Sequence, residues 1–117
     1  MSEIKRYEVG PRMSAMVVHG GTIYLSGYVA ENSPGQSVAV QTADILQQID
    51  ESLASVGSDK TRLLEATIWL ADISTFAEMN SEWDKWVSPG NTPTRATVEA
   101  KLASPKYGVE IRVIAAQ

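Results

Sequence analysis

Apolar residues change their spacing several times along this chain, and each change marks an element. Residues 16–19 and 22–25 are two short β-prone runs on either side of Gly20-Gly21. A Gly-Gly pair supplies the positive φ angles that a tight hairpin turn needs. Ser26 and Gly27 end the second run, and residues 31–36, with Asn32, Ser33, Pro34 and Gly35, have the composition of a loop. From Ser37 the pattern is helical: Val38, Thr42, Ile45, Ile49, Leu53 and Val56 recur three or four apart, while Gln41, Asp44, Gln48 and Glu51 occupy the other face. Gly57 is placed to end this helix in the left-handed conformation.

Residues 63–71 form an apolar, β-branched run that reads as a central strand. A second helix is predicted to begin at Ser74 or Thr75, where Thr75 and Glu78 have the spacing of a capping box, and to stop before Pro89-Gly90. Its apolar stripe is Phe76, Met79, Trp83 and then Trp86 or Val87. Asn80 falls on that stripe, so its amide needs a partner. Two final strands, 94–100 and 109–115, are joined by residues 101–108, whose Pro105 and Gly108 fit a hairpin connection. The plan is α+β, a mixed sheet with two helices packed on one face.

Composition narrows the chemistry. With 117 residues, 44% hydrophobic and 21% charged, the chain forms one domain over residues 1–117. Folding buries roughly 12,000 Å² on surface-scaling relations, enough for a core without a covalent staple. There is no cysteine and only one histidine, which removes thiolate nucleophiles and Cys-based metal sites, so no metal and no cofactor is expected. No stretch approaches the ~20 apolar residues of a membrane span, and Glu3, Lys5 and Arg6 leave no signal-peptide apolar region at the start. A soluble cytoplasmic protein without a membrane partner is the expectation. Ten basic against fourteen acidic residues give a net charge of −4, and no basic cluster is visible, so nucleic acid is not an expected partner.

Strand alternation places Arg95, Thr97 and Glu99 on one face of the penultimate strand and Glu110 and Arg112 on one face of the last. One reading is a solvated face with cross-strand ion pairs. The other is a carboxylate site in which the planar fork of Arg95 grips the ligand and Glu110 faces it as acid, base or water-positioning group. Ser26-Gly27 lacks the Gly-x-Ser-x-Gly elbow of a hydrolase, His19 reads as a polar turn residue, and Trp69, Trp83 and Trp86 read as core or interface.

Ser26-Gly27, the 72–83 segment with Phe76 and Asn80, the strand Pro93-Thr94-Arg95-Ala96-Thr97-Val98-Glu99 and the terminal Val109-Glu110-Ile111 together resemble the RidA (YjgF/YER057c-type) family over essentially the whole chain. The resemblance implies a chorismate-mutase-like fold and a homotrimer with clefts between subunits that take a small carboxylate-bearing metabolite. It also implies cofactor-independent hydrolysis of enamines and imines, such as 2-aminoacrylate and 2-iminopropanoate, to 2-keto acids and ammonia. In that scheme Arg95 holds the substrate carboxylate, Glu110 positions or activates water, and Asn80 and Ser26 line or support the cleft. The deaminase subgroup's tyrosine after Gly-Pro is replaced here by Arg12 or Met13, and its cysteine two residues after the arginine by Thr97, whose hydroxyl can still hydrogen-bond. Arg12 adds a second cation that favours a more anionic ligand. The alternative reading is a non-catalytic regulatory protein that binds a small carboxylate. Endoribonuclease activity or translation inhibition, labels some members carry, fits the acidic balance less well.

Overall fold

Gly20 and Gly21 adopt φ of 58° and 80°, and the chain reverses there between β2 (Ser14–His19) and β3 (Thr22–Leu25), with His19 opposite Thr22. The structure is a computed structural model that describes residues 3–117. A strand that the apolar pattern did not mark, β1 (Lys5–Val9), adds antiparallel to β2. The break at Ser26-Gly27 separates β3 from a two-residue strand, β4 (Tyr28–Val29). Then come helix α1 (Val38–Ser55), β5 (Leu63–Leu70), helix α2 (Phe76–Trp86), β6 (Thr94–Glu99) and β7 (Val109–Ala116). The sheet runs β1-β2-β3-β7-β5-β6, and β4 also pairs with β7.

The expected hairpin between the last two strands does not form. β6 pairs parallel with β5, and β7 pairs antiparallel with the other side of β5, so the two strands are never neighbours. The physical reason is the crossover through α2, which returns the chain parallel to β5. Residues 101–108 then carry the chain across the end of β5, where Ala100 donates to the carbonyl of Leu70 and Ala71 to that of Gly108. Cross-strand ion pairs between β6 and β7 are therefore ruled out.

Buried strand positions lie on one face: Met16, Val18, Ile23, Leu25, Ala66, Ile68, Leu70, Ile111, Val113 and Ala115 join Ile45, Ile49, Leu53, Met79, Trp83 and Trp86 in a single core. Both helices cover this face, as the α+β plan requires. Gln41, assigned to the polar face of α1, is instead buried. Its amide donates to the carbonyls of Gln36 and Lys106 and accepts from the N–H of Gly108, because the two loops fold over it and bring their backbone groups within reach.

Capping also departs from expectation. Ser37 caps α1 by accepting from Val40 N–H, but Glu78 does not close a box with Thr75. Its carboxylate reaches across to the Ala39 N–H in the first turn of α1, at 2.8 Å. Asp72 instead organises the entry to α2, accepting from the Ser74 N–H and hydroxyl.

Candidate functional site

β6 is an edge strand, and its register fixes where Arg95 points. Arg95 is paired with Ala66, which is paired with Val113, so all three side chains leave the sheet on the helix side. There the guanidinium meets α2. Nη1 donates to Asn80 Oδ1 at 2.7 Å, and the group lies 5.2 Å from the centre of the Trp83 ring and 5.7 Å from that of Phe76. The polar residue on the apolar stripe thus has its partner, and the two rings hold the cation from beneath. Phe76 is exposed beside it rather than sealed in the core.

Among the described residues no carboxylate lies within ion-pair distance of Arg95. Burial pushes its pKa down from the ordinary value, and the negative charge of Asp84 on α2 offsets part of that. Two residues along the same face of β6, Thr97 Oγ1 is buried without a hydrogen-bond partner among the described residues. This is a half-buried, unneutralised cation, oriented in advance and ready to take a planar anion.

Glu110 is elsewhere. Its register partners are Trp69 and Val29, which leave the sheet on the face opposite the helices. A Cβ on Gly27 would collide with Glu110 Oε2 and lie 3.0 Å from Cδ, so the absent side chain is what admits the carboxylate. Burial raises the pKa of Glu110. Within one chain, Arg95 and Glu110 are on opposite faces with β5 between their strands.

Ser26 and Gly27 border a cleft of about 490 Å³ that also takes in Glu8, Met13, Tyr28, Gln48 and Ser52. Arg12 is exposed in the turn between β1 and β2, toward the sheet edge remote from β6. The structure therefore gathers Arg95, Asn80 and Thr97 on one side, and Ser26 with Glu110 around Gly27 on another. Sequence reasoning missed two contributors to the first group. Phe76 was counted as core, and Asp84 was not singled out, although it follows Asn80 by four residues and so shares its helix face.

The family model described as Endoribonuclease L-PSP matches residues 4–117. The chain belongs to this family. Among its relatives in the Endoribonuclease L-PSP family, the RutC family protein YoaB of Escherichia coli K12 is 47% identical over 113 residues, covering 97% of each chain. A Bos taurus protein named 2-iminobutanoate/2-iminopropanoate deaminase is 36% identical over 93% of this chain and 82% of its own. The crystal structure of NMB1025 from Neisseria meningitidis, described as a member of the YjgF protein family, superposes with a TM-score of 0.94 at 50% identity, covering 98% of this chain and 95% of that one. The RidA/YjgF resemblance and the α+β fold read from the sequence are both borne out. Among the described residues no helix is long and apolar enough to cross a membrane.

Proposed function

We propose that this protein hydrolyses small enamine or imine derivatives of amino acids, of the 2-aminoacrylate and 2-iminopropanoate type, to 2-keto acids and ammonia. The observation that carries the reading is Arg95: fixed by Asn80, Trp83 and Phe76 yet free of any carboxylate partner among the described residues, it is a prepared socket for a substrate carboxylate. The deaminase names of mammalian relatives support the same chemistry.

An imine carbon is already electrophilic, so orientation, a water and proton movement suffice. An enamine first shifts a proton from nitrogen to its terminal carbon to become the imine. Water oxygen then bonds to the imine carbon as the C=N π bond opens. After attack, one proton passes from the water through the Glu110 carboxylate to nitrogen, giving a carbinolamine. The remaining hydroxyl proton follows the same path as C=O forms, the C–N bond breaks and ammonia leaves the keto acid. A pKa raised by burial suits a group that both takes and returns a proton. Because Arg95 and Glu110 face opposite sides of one sheet, the working site on this reading lies between copies of a homotrimer. Arg95, Asn80 and Thr97 come from one copy, and Glu110 and Ser26 from the next. Arg12, remote from Arg95 in its own chain, enters the cleft in the same way and adds positive charge.

The opposite-face geometry also keeps a second reading in play, a carboxylate-binding regulator without turnover. One assay separates them. With 2-aminoacrylate generated in place, Arg95→Ala lowers kcat/KM for ammonia release about 100-fold or more, the scale of a lost charge-assisted bidentate contact. Wild-type protein that gives no acceleration, yet is thermally stabilised by small carboxylates through Arg95, establishes the regulator instead.

A further inference from the structure

Asp84 has a position that helix stability does not explain. It lies in the last turn of α2 (Phe76–Trp86), where the carbonyl end of the helix disfavours negative charge. The neighbouring Lys85 is already paired with Glu82 at 3.2 Å, and among the described residues Asp84 has no ion-pair partner. It is exposed, so it contributes nothing to the core. Its location relative to Arg95 is specific. Asp84 is one turn beyond Asn80, the residue bonded to the guanidinium, and directly follows Trp83, whose ring lies under it. Among the described residues the charge of Asp84 is the carboxylate charge that bears on the Arg95 pKa, yet it stands outside ion-pair distance and leaves the fork of Arg95 open.

We infer that Asp84 is a specificity-determining residue of the Arg95 site, selecting ligands that carry a positive centre beside their carboxylate and rejecting dicarboxylates. The inference rests on the carboxylate-binding role proposed for Arg95. An anion seated on Arg95 puts its remaining atoms in the field of Asp84. A cationic nitrogen on the neighbouring carbon is attracted, and a second carboxylate is repelled. This is the charge pattern of a protonated imine of an amino acid. It opposes the anionic bias that Arg12 brings from the far edge of the sheet.

Propionate, alanine and succinate share a short carboxylate chain and differ in carrying no further charge, a cation or a second anion. Their affinities by NMR titration give the test. Wild-type protein binds alanine most tightly and succinate least. Asp84→Asn narrows the alanine-to-succinate ratio about three- to fivefold, the size of one solvent-exposed charge interaction, and Asp84→Lys narrows it further. Both variants keep a melting temperature equal to or above that of wild type, since each removes an unfavourable charge from the helix end. A ratio within twofold of wild type in both variants overturns the inference. Arg95→Ala is the separate control. If it binds all three ligands as wild type does, the carboxylate site itself is wrong, and if it binds none, the role of Asp84 is judged on the ratios alone. A wild-type protein that binds none of the three overturns both.

Discussion

Gly27 and Glu110 compete for the same space. The carboxylate occupies the volume that any side chain at position 27 would need, and the clash is with the movable end of Glu110 rather than with backbone. Gly27→Ala is therefore expected to swing the carboxylate away instead of unfolding the sheet. The cost in stability is about 1 kcal/mol or less, while turnover falls at least tenfold, because an acid–base group displaced by an ångström no longer meets its proton. Thermal melting and ammonia-release kinetics on one sample check both halves. A variant that retains full activity removes Glu110 from the chemistry, and one that fails to fold shows that the contact is part of the core.

α1 was legible because its apolar period is regular, but the same pattern misassigned Gln41. A glutamine off the stripe reads as solvent-facing, and nothing local reveals that residues 31–36 and 101–108 close over it. Its three hydrogen bonds join α1 to both loops, and a further bond from the Gly35 N–H to the Lys106 carbonyl ties the loops to each other. Gln41→Leu keeps the volume and takes the partner from the Gln36 carbonyl and the Gly108 N–H, while the Lys106 carbonyl keeps its bond from Gly35. The expected loss is about 2–4 kcal/mol, read as a melting temperature lower by about 10 °C; a drop under about 3 °C would mean that water replaces the amide freely. The same limit governs the strands. The apolar run of β5 was plain, but whether its partner is parallel or antiparallel depends on α2 packing back across the sheet, which residue pattern does not encode. Placing β6 beside β7 followed from sequence order and put Arg95 next to Glu110. With β5 between them, Arg95 and Glu110 leave opposite faces. Individually these residues were readable, since a fork-shaped cation, an amide on an apolar stripe and a carboxylate near the start of an apolar strand each carry a recognisable signal. Their mutual arrangement was not.

At the scale of the whole molecule, the proposed reaction would bring the two residues together only across a seam between copies of the chain. The face of the sheet away from the helices carries Trp69 beside Val98, and Val17, Tyr24 and Ile114 in one row across β2, β3 and β7. Tyr24 and Val98 are exposed, and the other three are half-buried. If three copies pack through this face, each cleft takes Arg95 from one copy and Glu110 from another, and the two residues need never be intact in the same chain. Arg95→Ala and Glu110→Gln proteins are each inactive alone. Unfolded together in equal amounts and refolded, they assemble at random. A given cleft then has its arginine with probability one half and its glutamate with probability one half, so about a quarter of wild-type activity returns. A site contained within one chain predicts no recovery at any mixing ratio, because no chain in the mixture carries both groups. Activity regained by simple mixing without unfolding adds the rate at which copies exchange. Activity that never returns after refolding, with trimers verified by sedimentation, rules out the shared cleft.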